Sequence, residues 1–384
     1  MNTKLPEGAR IIGLDLAKKS FVGCILSGEG FVNRQIFHGT MSQDETGWQQ
    51  INRKIKLNDL VLMEAGTATF SLARYLFSHS DASQVVVLNP GMLRIIWMSQ
   101  KKNDKADATK IACIARDMAE EAWPTVTVPS EEEQAERSTV SSYVFITKQE
   151  TQVVNRLYAL FNSLGFPEIK RSVVRDNPEL RRIVAEKLLT HYPKALQEAH
   201  LMFDQLDLIQ LQREIRLENL REICLDHPKE ALSWFSLPGI GLINAATLVA
   251  FIGNGSRFSN GHQLLNYAGL VPKQDQSGPV DKKLGISKQG NRVIRRNIVQ
   301  GAWTVSTSMK PTCPITKYAY RKKAEGKTRQ KVAIAVANKM LRTGLALLHS
   351  GKLYSPMIAD GRDKLKAKLR YYKTEALMNF IPQD

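Results

Sequence analysis

The chain has 384 residues, of which 43% are hydrophobic, so it is long enough for two or three domains with cores of their own. It has no run of about 18 apolar residues and no apolar stretch near its start, which excludes a membrane-spanning helix and a signal peptide and predicts a cytoplasmic protein. Its four cysteines form no CxxC pair, which argues against a zinc site and a disulfide framework. Its net charge of +17 favours a polyanionic partner.

The positive charge is concentrated at one end of the chain. Residues 261–384 contain 24 Lys and Arg against 7 Asp and Glu, whereas the preceding residues contain 30 of each. A surface without a charged partner would spread this excess more evenly. We therefore expect nucleic acid as the partner, because basic side chains on phosphates release condensed counterions; an acidic membrane surface is the weaker alternative.

The first part of the chain alternates between short apolar runs and helical patterns. Strands are predicted at residues 11–17, 21–26 and 31–37, followed by helix 43–55, strand 60–65, helix 69–78, strand 85–88 and helix 104–121. This order, βββ-α-β-α-β-α, is that of an RNase-H-like α/β fold.

The middle of the chain is predicted to be helical. Residues 125–135 have the composition of a linker, and residues 136–232 are mostly helical, with apolar positions at helical spacing between Arg and Glu. Long amphipathic helices of this kind predict either a coiled-coil spacer or an ordinary helical bundle, and the pattern does not separate the two.

The last third of the chain is predicted to be mainly helical and basic. A helix ends near Gly253, another covers residues 261–269, and a loop rich in Gly, Pro and Lys covers residues 271–290. Basic helices follow at about residues 291–308, 315–325 and 329–349. We expect residues 351–384 to be a basic tail that is flexible or contacts nucleic acid.

Four carboxylates interrupt this pattern. Asp15 and Glu64 lie in otherwise apolar strands, where carboxylates are disfavoured, and Asp104 and Asp107 lie one turn apart at a helix start. Together they predict a Mg²⁺ site, since hard oxygen ligands hold this ion beside a phosphate. Singly, Asp104 is explained as an N-cap, Asp107 as a partner of the helix dipole and Asp15 as a turn residue.

Two segments of the last third predict contacts with a nucleic-acid backbone. Gly239 and Gly241, in a PGIG turn before a helix, resemble the hairpin of helix-hairpin-helix modules, in which backbone N–H groups approach a phosphate; a simple helix-start turn is the alternative. Cations around the glycine-rich loop are candidate phosphate contacts: Lys273, Lys288, Arg292, Arg295 and Arg296. The loop also contains Ser277 and Ser287, and nothing in the pattern itself selects either as a nucleophile.

Two separated blocks of the sequence contain the motifs of a known family. The first consists of GLDLAKKSF around Asp15, MEA around Glu64 and KKNDKADATKIA around Asp104 and Asp107. The second consists of LPGIGLINAATLVAFIG, FSNGHQLLNYAGLVPKQDQSG and GISKQGNRVIRR. With these motifs the chain resembles transposases of the insertion-sequence 110 family, the DEDD-type recombinases related to the pilin-gene invertase, and the resemblance covers about residues 8–350. One departure is the order Ala65-Gly66-Thr67, where the family usually has alanine, threonine and glycine.

This resemblance implies four parts: an RNase-H/RuvC-like, Mg²⁺-binding domain at residues 8–124, a helical coiled-coil spacer at 136–232, a mainly α-helical transposase domain with a helix-hairpin-helix-like element at 233–350, and the tail. It also implies a serine nucleophile, which its QSG motif assigns to Ser277. Further implied are an active site whose carboxylates and serine come from different protomers of a tetramer, and guidance to donor and target DNA by a bridge RNA.

The sequence thus predicts an enzyme that cuts and rejoins DNA through a serine–phosphate link. The alternative is a metal-only RNase-H-like nuclease or junction resolvase, in which the carboxylates activate water and Ser277 is a loop residue. A third hypothesis is a nucleic-acid-binding scaffold without catalysis, which the intact carboxylate set disfavours.

Overall fold

The computed structural model of the chain describes residues 10–29, 32–91, 93, 104–277, 280–354 and 361–382, with the backbone alone at residues 28–29, 32–37, 104–105, 274–277, 280–284 and 361. The chain divides into two compact units, Met1–Glu132 and Glu133–Asp384. None of the helices in the described ranges is long and apolar enough to cross a membrane.

The first unit is a mixed sheet with helices on both faces. Its elements are β1 (Arg10–Leu16), β2 (Ser20–Glu29), β3 (Val32–Ser42), α1 (Glu45–Asn52), β4 (Leu60–Glu64), α2 (Thr69–His79), β5 (Gln84–Leu88) and α3 (Asp104–Asp117). The strand order is β3-β2-β1-β4-β5. The first three strands are antiparallel, whereas β4 and β5 run parallel to β1. This arrangement fits the predicted RNase-H-like domain.

Alternation along the strands separates two cores. Ile12 and Leu14 belong to the core on the side of α1 and α2, and Ile11 and Leu62 belong to the core on the side of α3. Because successive side chains of a strand point to opposite faces, Gly13 also faces α3. Helix α3 lies so close there that a Cβ on Gly13 would be 2.6 Å from the backbone nitrogen of Ala112.

Part of the predicted linker pairs with a strand of the first unit. The backbone N–H of Val126 donates to the carbonyl oxygen of Val87 at 2.7 Å, and Thr125 forms an antiparallel bridge with Leu88. The next helix then begins at Glu131. The segment pairs with the exposed edge of β5, a long-range contact that its local composition does not reveal.

The second unit is mainly helical. Its elements are α4 (Glu131–Ser163), α5 (Arg171–Asp176), α6 (Pro178–Leu189), α7 (Pro193–Asp226), α8 (Pro228–Phe235), α9 (Leu242–Ile252), α10 (Gly261–Ala268), β6 (Pro272–Ser277), β7 (Val280–Ile286), α11 (Arg292–Ser308), α12 (Pro314–Ala324), α13 (Arg329–Ser350) and α14 (Gly361–Tyr371). It has two hydrophobic cores. One lies among α4–α7. The other lies among α8–α13 and the segment after them, and it also includes residues from the first part of α4 and the end of α7.

The prediction of a loop at residues 271–290 is wrong for most of this segment. Strands β6 and β7 form an antiparallel hairpin in which Ser277 pairs with Val280. The strands are rich in Lys, Asp and Gln, which have low strand propensity, so composition favours a loop. Pairing of the two backbones overrides that preference.

The tail is folded from residue 361 to residue 382, so a flexible tail is wrong for this segment. Leu365 and Leu369 of α14 are buried in the larger core, as is Leu377 of the following 3₁₀ helix. The ammonium group of Lys368 donates to the carbonyl oxygens of Phe235 and Leu237, at 2.6 and 2.9 Å. These bonds satisfy carbonyl groups that the end of α8 leaves without helical partners.

Candidate active site and nucleic-acid interface

Asp15 and Glu64 lie at the carboxyl ends of two neighbouring parallel strands. Leu14 of β1 is in register with Met63 of β4, and the two carboxylates each follow one residue later. By the alternation of the strands, both lie on the face of the sheet that α3 covers. Both residues are half-buried. The sheet therefore brings these two predicted metal ligands to the same edge and the same face.

The direction of α3 brings its first turn to that edge. Three residues after α3 ends, Glu120 accepts a hydrogen bond from Gln84 at 3.0 Å. Gln84 is the first residue of β5, so α3 ends near the edge at which the parallel strands begin. Since α3 packs along β1, its first turn, with Asp104 and Asp107, lies toward the edge at which β1 and β4 end.

The side chain of Asp107 has a partner in its own helix. Its Oδ1 accepts a hydrogen bond from the ammonium group of Lys110 at 2.7 Å, which supports a structural role for Asp107. The side chain of Asp104 is outside the described set. Among the side chains that are described, no three potential ligands form a metal-binding group. The four-carboxylate site therefore stays a prediction, although its all-oxygen donor set suits a hard divalent cation.

Two further residues, not predicted from the sequence, hold this edge together. The hydroxyl of Thr69 donates to the carbonyl oxygen of Glu64 at 2.7 Å and accepts from the N–H of Gly66 at 2.9 Å. Gly13 permits the close approach of α3. A glycine two residues before a strand carboxylate is the signal that could have identified Gly13.

The glycines of the PGIG turn pack inside the protein. Gly239 has φ +74°, a left-handed conformation that favours glycine, and a Cβ there would lie 2.5 Å from the carbonyl oxygen of Gly301. A Cβ on Gly241 would clash with the hydroxyl of Tyr372. Helix, turn and helix follow in order through α8 and α9, but packing alone already explains both glycines. Their contact with a phosphate stays a prediction.

Ser277 is the last residue of β6, and its side chain is outside the described set. Of the cations predicted to contact phosphate around the glycine-rich segment, four are exposed: Lys273, Lys288, Arg292 and Arg296. Arg295 differs, because its guanidinium group donates to the carbonyl oxygen of Ala268 at 2.9 Å. Burial, and then the charge of Arg292, lowers the pKa of Arg295. Arg295 therefore caps the end of α10, which leaves the other four as the candidates for phosphate contact.

Comparison with known proteins gives two matches to transposase families. Residues 12–166 match a transposase family of the DEDD, IS110 type, and residues 234–318 match the transposase IS116/IS110/IS902 family. The chain is 24% identical to a pilin gene-inverting protein of Moraxella bovis over 91% of its length and 98% of that protein. It is 24% identical to the transposase for insertion sequence element IS1328 of Yersinia enterocolitica, over 90% and 98% of the two chains. It is also 26% identical to the transposase for IS1111A of Coxiella burnetii, over 67% and 70%.

Proposed function

The chain belongs to the insertion-sequence 110 family of transposases and is a DNA-cutting enzyme, and we propose that it cuts and rejoins DNA with a Mg²⁺ site and a serine nucleophile. The proposed metal ligands are Asp15, Glu64, Asp104 and Asp107. The proposed nucleophile is Ser277. The observation that supports the metal half best is the common edge and face of Asp15 and Glu64, toward which the first turn of α3 is directed.

Bound Mg²⁺ would neutralise the charge that develops on the phosphate oxygens during strand cleavage. The chain's own residues have two tasks. The carboxylates bind and orient the metal, and the hydroxyl of Ser277 attacks the phosphorus of the scissile bond. An Oγ–P bond forms, the bond from phosphorus to one sugar oxygen breaks, and that oxygen leaves with a proton as a hydroxyl group. The phosphoserine link conserves the bond for rejoining.

Trapping of a covalent protein–DNA adduct tests the serine. Ser277→Ala should form no adduct with labelled donor DNA. Ser287→Ala is the matched control, because Ser287 Oγ is buried and has no hydrogen-bond partner in the described ranges. It should form the adduct at the wild-type level. An adduct in Ser277→Ala would show that the assignment is wrong. Cleavage without any adduct, fully active in Ser277→Ala, would support the metal-only nuclease.

Loss of a carboxylate tests the metal site. Asp15→Asn should lower Mg²⁺ affinity, measured by calorimetric titration of the free protein, and should abolish strand cleavage. Asp81→Asn removes one carboxylate from an exposed position of the same unit and should change neither. If Asp15→Asn binds Mg²⁺ as the wild type does, Asp15 is not a ligand.

The apolar surface of α7 supports assembly of several copies of this chain. Four of its side chains are 55–60% exposed: Leu201, Leu208, Leu211 and Ile215. Their spacing of 7, 3 and 4 residues is that of a coiled-coil seam. At about 100° per residue they lie opposite Phe203 and Leu206, which are buried within the unit. One apolar face thus serves the core, and the other fits a second copy.

Sedimentation measures this assembly. Leu208→Glu combined with Leu211→Glu should reduce the proposed tetramer to a smaller species. Leu57→Glu, at a leucine that is 75% exposed in the first unit, is the control and should leave the mass unchanged. Equal masses for all three proteins would exclude the α7 seam as an interface.

The resemblance further suggests that serine and carboxylates act from different protomers. Mixing inactive Asp15→Asn with inactive Ser277→Ala should then restore strand exchange.

Guidance by a bridge RNA is the last part of the proposal, and it is supported by the excess of positive charge in residues 261–384. RNA transcribed from the DNA that flanks the gene should make strand exchange dependent on its two loop sequences. Exchange that is equally efficient without RNA would contradict guidance.

A further inference from the structure

A second group of exposed cations surrounds the turn between α12 and α13. Residues 310–339 contain nine Lys and Arg and only one acidic residue, so they contribute +8 to the net charge of +17. Seven of these cations have exposed side chains. Six of the seven lie on α12, on α13 or in the turn between them, and we call these six the α12–α13 basic surface: Lys317, Arg321, Lys323, Lys327, Arg329 and Lys331. The phosphate contacts predicted from the sequence lie elsewhere, among the cations of residues 273–296.

This surface has almost no compensating negative charge. Glu325, its one carboxylate, is shared by Lys322 at 2.8 Å, Lys327 at 3.2 Å and Arg321 at 3.9 Å. Within the ranges that the structure describes, Lys317 and Lys331 form no ion pair. The three cations that share Glu325 lie close enough to repel one another, and binding of a polyanion relieves this repulsion.

Aromatic rings contact several of the cations, including two that also pair with Glu325. The ring of Tyr318 lies beneath Lys339 at 4.9 Å, Arg321 at 5.3 Å and Lys322 at 5.4 Å. The ammonium group of Lys323 lies 5.0 Å from the centre of the ring of Tyr320. A ring face orients a cation without neutralising it, so these positive charges are positioned and stay available to an anion.

The basic residues at the start of α13 are placed where they destabilise the helix. Its first turn contains Arg329 and Lys331 and no acidic residue. The helix dipole disfavours cations at this end, where acidic side chains are the stabilising choice. Positive charge that is kept at a cost to stability indicates a role in binding.

We propose that the α12–α13 basic surface binds the phosphate backbone of double-stranded DNA, in addition to the four exposed cations of residues 273–296. The inference rests on the action of this transposase on DNA and is independent of the assignment of Ser277. DNA is favoured over RNA because it is the substrate of transposases. Four of the six residues are lysines, which bind phosphate as point charges and do not require a particular base.

The salt dependence of DNA binding tests this proposal. The test variant combines Lys317→Gln, Lys323→Gln and Lys331→Gln. Fluorescence anisotropy with a short labelled duplex, in EDTA, gives Kd between about 50 and about 200 mM NaCl. Each lost phosphate contact should reduce the slope of log K against log salt by about 0.9, so the variant should lose about 2 to 3 from the slope and bind at least about tenfold more weakly at low salt.

A matched control removes the same charge elsewhere. Three exposed lysines on α4, α6 and α7 are replaced together: Lys148→Gln, Lys187→Gln and Lys194→Gln. These form no ion pair in the described ranges, and this variant should keep the wild-type slope. Circular dichroism of both variants, with unfolding midpoints equal to the wild type, verifies that each is folded.

Two outcomes would overturn the proposal. If both triple variants lose the same affinity and slope, only the net charge of the protein matters. If the α12–α13 variant keeps its DNA slope but loses affinity for structured RNA from the flanking DNA, the surface binds RNA. Because EDTA prevents metal-dependent cleavage, failure here is distinguishable from failure of the adduct experiment on Ser277.

Discussion

Replacing Gly13 by alanine is expected to displace α3 without touching any carboxylate. Gly13 is buried where α3 crosses β1, and a Cβ there would lie 2.6 Å from the backbone nitrogen of Ala112 and in clash with the carbonyl oxygen of Ala108. Both atoms belong to the helix backbone, so neither can rotate away. Ordinary van der Waals contact begins at 3.4 Å. The helix must therefore shift by about 1 Å, since a close-packed interior has no room to absorb the added methyl group.

This shift would separate the two halves of the proposed metal site. Asp104 and Asp107 move with α3, whereas Asp15 stays with β1. A misplacement of about 1 Å at a catalytic centre can reduce the rate by about 10²-fold. Overpacking of this kind also lowers the free energy of unfolding by about 1–3 kcal/mol. Gly13→Ala should thus remain folded at low temperature and lose most of its cleavage activity.

Strand cleavage, Mg²⁺ affinity and urea unfolding of Gly13→Ala are the three measurements. Gly23→Ala is the matched control on the adjacent strand β2. A Cβ on Gly23 would meet the methyl group of Met41 at 3.0 Å and that of Ile51 at 3.4 Å, and both are ends of flexible side chains. It should retain activity close to the wild type. If folded Gly13→Ala cuts DNA and binds Mg²⁺ as the wild type does, the close approach of α3 to β1 does not position the metal ligands.

Two further predictions concern stability in the second unit. Burial lowers the pKa of Lys368 to about 8, below its usual value of 10.5. Between these pH values the unfolded chain binds more protons than the folded chain, so the free energy of unfolding rises with pH. In urea unfolding, the free energy of the wild type minus that of Lys368→Met should therefore rise from pH 8 upward, and a constant difference would contradict this. Arg181 is fully buried, pairs with Asp207 and donates to the carbonyl oxygen of Val174 at 3.0 Å. Arg181→Met should cost only about 1–3 kcal/mol in thermal or urea unfolding, because Arg182 still pairs with Asp207, and a loss of about 5 kcal/mol or more would mean that this second pair fails too.

Local sequence predicted the type and order of the helices and strands of the first unit, with ends that differ from the structure by up to five residues. The predicted strand at residues 60–65 is Leu60–Glu64, and the predicted helix at 69–78 is Thr69–His79. Apolar runs of strand length and helical periodicity are local properties, and here they agree with burial in the folded chain. The carboxylate positions were visible for the same reason, since Asp15 and Glu64 interrupt these runs.

Tertiary structure alone decided how those carboxylates are brought to one edge. The parallel pairing of β1 with β4 aligns Asp15 and Glu64, and the direction of α3 follows from a contact between residues 84 and 120. Register and helix direction depend on pairs of residues far apart in the chain. Periodicity within a window carries no information about such pairs.

The same reason explains what the sequence pattern missed in the second unit. Pairing of β6 with β7 turned a polar segment into a hairpin, and burial of three leucines docked the tail. Arg295 has the same local composition around it as Arg292 and Arg296, yet its guanidinium group donates a hydrogen bond to a carbonyl group of α10. By itself the sequence determined which residues carry charge and carboxylates. Only the fold decided which of them already have partners inside the protein and which stay exposed at the surface, because that depends on contacts between distant segments.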